Sequence, residues 1–230
     1  MIFRNYSFRN AFKERMCQVY DALDYSRHHP YTAIQKLAFE STAKYVTESC
    51  PKAISCRSPR ILMSLALSRV SVEGEFLEFG VWKGASIKFI AKNFPNNTIH
   101  GFDSFEGLPE SWVHNDKGTF SLKGKLPKVP SNVTLHKGWF EDTLPNWAAK
   151  NNNKIALLHV DCDLYSATKT IFDLLGDSIT TGTVIIFDDY FNFPNWENDG
   201  HAVFTEYLKN SGHTANYLGY SFKELAVIIE

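Results

Sequence analysis

Two acidic clusters follow two apolar runs in the second half of the chain. Ile155-Ala-Leu-Leu-His-Val160 leads into Asp161-Cys-Asp163, and Gly182-Thr-Val-Ile-Ile-Phe187 leads into Asp188-Asp189. Short runs that are apolar nearly throughout suit strands buried on both faces of a parallel sheet. If the two strands are neighbours, Asp161, Asp188 and Asp189 converge at one edge. Carboxylates crowded together raise each other's pKa and stay ionised only beside a cation. A hard divalent ion, bound by oxygens of protein, water and substrate, meets that need. Magnesium is the default, with calcium and manganese left open. The competing explanation is capping of the helices that follow, for which Asp188-Asp189 alone would suffice. Paired acids after consecutive strands favour the ion.

The second constellation is Phe76-Leu-Glu-Phe-Gly-Val-Trp-Lys-Gly84. Phe76, Leu77 and Phe79 form an apolar strand, Gly80 permits a tight turn, and Gly84 opens a helix carrying Ile87, Phe89 and Ile90. Such a unit places a ligand at the carboxyl edge of a parallel sheet. Its glycine spacing departs from the dinucleotide fingerprint G-x-G-x-x-G. A ligand with an amino acid end and a nucleoside but no pyrophosphate, such as S-adenosylmethionine, suits it better. Asp103 lies 23 residues past Gly80 and ends the next strand. A carboxylate there can accept hydrogen bonds from both ribose hydroxyls, although a helix cap or loop acid is the plainer role.

The elements that must position these residues alternate. Strands are expected over 75–79, 98–103, 132–136, 155–161 and 182–188, with helices over 85–92, 165–175 and 200–210. A hairpin over 216–229 closes the chain. The pattern predicts an α/β fold with a doubly wound, mostly parallel, seven-stranded, Rossmann-like sheet. Right-handed crossovers then carry all the acids above to one edge. Residues 1–70 read as a helical extension, a lid or substrate cap within the same domain, and residues 71–230 as the cofactor-binding domain. The 110–130 stretch is long for a structureless connection and reads as a functional loop or a hidden short helix.

The 230 residues, 44% hydrophobic and 21% charged, suit a single soluble domain with an ample core. A net charge of −1 offers no global field for nucleic acid. The four cysteines, at 17, 50, 56 and 162, match no zinc pattern and no dense disulfide framework. The first ten residues contain no secretory h-region, and no apolar run approaches the roughly 20 residues that span a bilayer. A reduced, cytoplasmic protein without a membrane partner is expected. The apolar helix over 61–67 offers a face for a homodimer.

Five motifs together carry a resemblance. Glu78-Phe-Gly-Val-Trp-Lys-Gly84, Asp103-Ser-Phe-Glu-Gly-Leu-Pro109, Gly138-Trp-Phe-Glu-Asp-Thr-Leu-Pro145, Asp161-Cys-Asp-Leu-Tyr-Ser-Ala-Thr168 and Asp188-Asp-Tyr190 resemble, in order and spacing, the macrocin-type O-methyltransferase family. That family includes the aminocoumarin sugar methyltransferases. The resemblance runs from about 74 to 210. It implies a class I methyltransferase fold, S-adenosylmethionine as donor, and Mg²⁺-dependent transfer to the hydroxyl of a sugar or glycoside in natural product biosynthesis. Carried over, Asp161, Asp188 and Asp189 are metal ligands and Asp163 is the general base. Glu78, Gly80, Gly84, Asp103 and Ser104 serve the cofactor, with Asp142 near the adenine end. Cys162 stands where relatives often have glycine.

In this reading two vicinal substrate oxygens meet the ion and Asp163 takes a proton. His201, at the start of a helix, is a rival base, with a solvated surface role as the plainer alternative. His159 reads as a core histidine. Phe105 and Trp139 are candidates for stacking on adenine, and Trp82 for packing the glycine turn. A catechol O-methyltransferase would use the same ion and a vicinal diol. A nicotinamide enzyme and a non-catalytic binding module on a similar sheet are the more distant alternatives.

Overall fold

The computed structural model describes residues 13–20, 29–151 and 153–230. Residues 13–20 are helical and exposed. Helices α1 (Pro30–Ser49), α2 (Pro59–Leu67), α3 (Ala85–Asn93), α4 (Phe140–Ala148), α5 (Tyr165–Leu175) and α6 (Gly200–Ser211) alternate with strands β1 (Ile54–Ser55), β2 (Glu75–Phe79), β3 (Ile99–Asp103), β4 (Val133–Lys137), β5 (Ile155–Val160), β6 (Val184–Phe187), β7 (Ala215–Tyr220) and β8 (Leu225–Ile229). The strands form one sheet in the order β1-β7-β8-β6-β5-β2-β3-β4. β8 runs antiparallel to both β6 and β7, and every other pairing is parallel.

The seven expected strands are present within a residue or two of their expected ends. The eighth, β1, pairs Ile54 and Ser55 with Gly219 and Tyr220 in the region read as purely helical. Two residues are too few for alternation to show in a sequence. Helix α4 was also absent from the expected elements. Pro145 inside it argues against a helix, yet Glu141 and Asp142 in its first turn suit a helix N-terminus. The 110–130 stretch contains neither helix nor strand. It folds back on itself: Leu108 N–H donates to Thr119 O at 2.9 Å, and Phe105 O accepts from the N–H groups of Leu122 (3.0 Å) and Gly124 (2.9 Å).

The chain builds β2, β3 and β4 outward in one direction, then returns to place β5 on the other side of β2. That reversal opens a crevice at the carboxyl ends of β2 and β5. Alternate residues along the strands feed two cores. Leu77, Phe79, Leu158, Val160, Ile185 and Phe187 pack with Ile171 and Phe172 of α5 and Phe204 of α6. Phe76, Leu157, Val184 and Ile186 face Leu62 of α2 and Ile87 and Ile90 of α3. Each core buries apolar area at roughly 25 cal/mol per Å², so the strands are clamped from both sides. The register is thereby fixed, since a one-residue slip would turn every side chain over. No helix among the described residues is long and apolar enough to cross a membrane.

Candidate active site

The ladder continues past the ends of the strands. Asp161 N–H donates to Phe79 O (2.8 Å), Asp188 N–H to Val160 O (3.0 Å) and Gly80 N–H to Phe102 O (3.0 Å). The glycine turn and both acidic clusters therefore emerge side by side. Gly80 adopts φ +89°, and a Cβ there would stand 1.6 Å from Asp161 O. Only glycine lets the two loops approach this closely.

Beside this junction lies a cavity of about 830 Å³, within the usual range for a small-molecule site. One wall holds Gly80, Asp103 and Ser104, and another holds Asp161, Asp163, Asp188 and Asp189. Trp139, Phe140 and Glu141 from the start of α4, and Leu108 and Glu110 from the long loop, close the remainder.

Asp103 supports the glycine turn directly. Its Oδ2 accepts from the N–H groups of Val81 (2.8 Å) and Trp82 (2.7 Å), and its Oδ1 from Phe105 N–H (2.6 Å). A carboxylate offers about four lone-pair sites, so these three bonds leave one acceptor position, and Asp103 lines the cavity.

The four aspartates sort by strand parity. Asp161 and Asp188 continue the face of His159 and Ile186 and are hydrogen-bonded to each other. Asp189 continues the face of Phe187 instead. Its Oδ1 accepts from Lys223 Nζ at 2.8 Å, and it is hydrogen-bonded to Asp163. Burial, reinforced by the Asp188, Asp163, Glu78 and Asp189 charges, lifts the Asp161 pKa well above the carboxylate range. Burial, then the charge and hydrogen bond of Asp189, raises Asp163 to about 8, with Lys223 opposing. Burial raises Asp188 to about 6 although His159 pulls it down. Lys223, beside Asp189, and His159, which pulls Asp188 down, are the positive charges that face these four carboxyls.

His159 completes this corner. It is 0% exposed, and its Nδ1 lies 3.0 Å from Glu78 Oε2, while Glu78 Oε1 accepts from Ser86 Oγ at 2.9 Å. Among the described residues, the atoms gathered closely enough for one metal ion are a ring nitrogen of His159 and one oxygen each of Asp161 and Asp188, all within 4.8 Å of one another. Asp189 stands outside that trio because its parity turns it toward Lys223.

Several expected site residues lie elsewhere. Glu78 is fully buried beneath the cavity and bonded to His159 and Ser86, so it supports the site from behind. Gly84, at φ +75°, caps α3 without lining the cavity. Asp142 is exposed on α4, and its neighbour Glu141 lines the cavity in its stead. Phe105 is 1% exposed in the core, which leaves Trp139 at the cavity wall. Trp82 is exposed and meets Phe120 edge-to-face at the mouth. His201 is not a solvated histidine: its Nδ1 lies 2.9 Å from Tyr190 OH within an aromatic cluster with Tyr45 and Trp196. Helix α1 leaves the cavity walls to others and braces the loop after β6, where Thr42 Oγ1 accepts from Asn192 N–H (2.9 Å) and Ser41 Oγ from Trp196 Nε1–H (2.9 Å). The remainder of the expected lid, residues 1–12 and 21–28, lies outside the described residues.

Two site residues were not anticipated. Strand alternation could have found His159, two positions before Asp161. Lys223 sits in the β7–β8 turn, which antiparallel pairing with β6 returns to the acid edge; its type alone gave no signal.

The family model for macrocin-O-methyltransferase (TylF) matches residues 23–211. The chain belongs to this family. As a macrocin-O-methyltransferase family member it is 29% identical over 145 residues, 52% of its length and 54% of the relative's, to the 8-demethyl-8-(2,3-dimethoxy-alpha-L-rhamnosyl)-tetracenomycin-C 4'-O-methyltransferase of Streptomyces olivaceus. It is 28% identical over 148 residues, 53% of its length and 57% of the relative's, to the mycinamicin III 3''-O-methyltransferase of Micromonospora griseorubida. The chain thus spans about half the length of these curated relatives. Among solved structures, the calicheamicin methyltransferase CalS11 superposes with a TM-score of 0.61 at 21% identity, covering 87% of this chain and 93% of that one. The O-methyltransferase NovP gives 0.54 at 22% identity, covering 72% and 78%. These two establish the class I methyltransferase fold for this family member.

Proposed function

We propose that this protein is an S-adenosylmethionine-dependent O-methyltransferase that acts, with a divalent cation, on a hydroxyl of a sugar or glycosylated natural product. The observation that carries the reading is one cavity with the glycine turn and Asp103 on one wall and four aspartates on another. Family membership and the sugar-modifying names of its relatives support the acceptor class.

The residues divide the work. Gly80 leaves the turn open for the amino acid end of the donor, and the free acceptor site of Asp103, with Ser104 beside it, takes ribose. Trp139 and Glu141 stand at the adenine end. Asp161 and Asp188 would hold the cation: two adjacent carboxyls that otherwise share a proton suit a divalent ion, and their oxygens suit magnesium. When bound, the cation supplies charge that lowers the pKa of an acceptor hydroxyl, and the donor supplies the methyl group. Asp163 accepts the hydroxyl proton on Oδ. A carboxylate raised toward neutrality is a stronger base than an ordinary one, and its bond to Asp189, itself held by Lys223, fixes its direction. Most of the rate comes from alignment, worth up to roughly 7–11 kcal/mol when geometry is ideal.

The test is release of S-adenosylhomocysteine across a panel of nucleotide sugars, glycosides and catechols, with and without EDTA. Turnover of a glycoside that stops with EDTA and returns with Mg²⁺ is the expected result. Turnover of catechols alone would move the acceptor class, and EDTA-insensitive turnover would remove the cation.

A further inference from the structure

We propose that Glu110 is a specificity-determining residue at the acceptor end of the cavity, and that it selects glycosides carrying a protonated amine outside the methylated ring over neutral or phosphorylated ones. This rests on the reading of the cavity as a methyltransferase site and adds the charge class of its acceptor.

The cavity wall is of one sign. Among the described residues it presents the carboxyls of Asp103, Glu110, Glu141 and the four aspartates, and no lysine, arginine or histidine. The lysines beside it are engaged. Lys223 Nζ donates to Asp189 Oδ1 at 2.8 Å, and Lys83 Nζ lies 4.2 Å from the centre of the Trp82 ring. With Asp103 given to ribose, Glu141 to the adenine end and the aspartates to the cation and the proton, Glu110 is the carboxylate left for the acceptor.

Neighbours fix its place. Ser166 Oγ, in the first turn of α5, donates to Glu110 Oε1 at 3.1 Å, and both residues line the cavity. That bond leaves Oε2 for a ligand. Two residues on, Trp112 Nε1–H donates to Asp199 Oδ2 at 2.8 Å, and its ring meets Phe193 edge-to-face. The loop carrying Glu110 is thereby pinned to the segment after β6. Asp199 feels the charges of both Asp189 and Glu110, which puts Glu110 on the side of the acidic strand ends. Glu110 is itself exposed, so it meets the part of an acceptor that projects from the reacting ring.

A hydrogen bond from an ammonium to a carboxylate is roughly twice as strong as one between neutral groups. The remaining carboxyls attract the same ammonium and repel a phosphate, which finds no cationic side chain on the wall. Water screens an exposed carboxylate, so the preference for the amine is modest, about fivefold. The rival explanation makes Glu110 only a staple between the loop and α5. It predicts no dependence on acceptor charge.

The experiment titrates aminoethyl rhamnoside, hydroxyethyl rhamnoside and rhamnosyl phosphate into the full chain loaded with S-adenosylhomocysteine and Mg²⁺, by calorimetry at neutral pH. The probes share a sugar and differ in charge beyond it, and no turnover is required. The expected result is aminoethyl rhamnoside binding about fivefold tighter than hydroxyethyl rhamnoside at low salt, with the phosphate weakest. The ratio should shrink as salt is raised. It should fall to within about twofold in Glu110→Gln, which keeps an acceptor oxygen for Ser166 and removes the charge. If Glu110→Gln fails to fold, the salt dependence of the parent decides. Equal affinity for amine and hydroxyl, tightest binding of the phosphate, a preference that Glu110→Gln retains, or no binding of any probe overturns the proposal. In each of those cases saturable binding of S-adenosylhomocysteine leaves the methyltransferase reading standing, and its absence removes that reading too.

Discussion

The close approach of Gly80 to the acidic loop can be tested with one methyl group. Gly80→Ala puts a Cβ 1.6 Å from Asp161 O and 2.6 Å from Asp161 C, where real contacts stay above 3.0 Å. Relief requires a displacement of about 1.4 Å, the difference between 3.0 and 1.6 Å, and the atom in the way is main chain, which cannot rotate aside. The substitution also carries φ +89°, and a left-handed conformation costs an alanine about 1–2 kcal/mol. Gly212→Ala supplies the control: φ is +74° and nothing lies within 4 Å of the new methyl. It should lose only the conformational part, about 1–2 kcal/mol. Gly80→Ala adds overpacking of about 1–3 kcal/mol, for about 2–5 kcal/mol in all. Its effect on turnover should be larger than its effect on stability suggests, because the displaced backbone carries Asp161 and Asp163. Misplacing reacting groups by about 1 Å costs about 100-fold. Urea denaturation and S-adenosylhomocysteine release measure the two effects. Equal stability of the two variants, with turnover of Gly80→Ala within about threefold of the parent, would refute this packing.

Asp163 adopts φ +64°, a conformation asparagine tolerates well, so Asp163→Asn should fold normally and lower kcat by about 10²–10⁴ while KM stays within about threefold; an unchanged kcat and pH–rate profile would remove Asp163 from proton transfer. In EDTA, folding stability should fall as pH rises from about 4 to about 8. The folded Asp163 and Asp188 keep protons that the unfolded chain releases over that interval, and each proton so retained costs about 1.4 kcal/mol for every tenfold fall in proton concentration. A saturating divalent ion should flatten that fall, and a metal-independent pH profile measured by thermal unfolding would contradict the grouping of the carboxyls. His136 acts in the opposite sense: burial, helped by the His100 charge, lowers it to about 4. Its contribution is therefore lost as pH drops from about 6.5 toward 4, and His136→Gln should blunt that acid-side loss.

Much of this architecture was legible because the strands announce themselves. The apolar runs Ile155–Val160 and Val184–Phe187 are buried throughout, and burial on both faces is what makes a run continuous rather than alternating. Gly80 and Asp103 were legible because a turn and a strand-terminal acid have a fixed place in this topology. The assignment of individual ligands was less so. Asp188 and Asp189 are adjacent in sequence and equal in type, and only their parity relative to Ile186 and Phe187 sends one to His159 and the other to Lys223. Glu78 looked like a cofactor contact because it borders the turn. Its side chain instead follows Phe76 to the inner face, where His159 meets it. Helix α4 was hidden by Pro145, and with it the reason that Glu141 rather than Asp142 faces the cavity. Strand β1 was hidden by its length.

The central claim is that carboxyls from two adjacent strand ends share one cation beside a sulfonium donor. A crystal of the full chain grown with Mn²⁺ and S-adenosylhomocysteine, measured for anomalous scattering from manganese, tests it most directly. The expected result is an anomalous peak touching Asp161 and Asp188, with the sulfur of the nucleoside in the same cavity and its ribose at Asp103. A manganese peak remote from both aspartates, or a nucleoside bound away from Gly80 and Asp103, would contradict it.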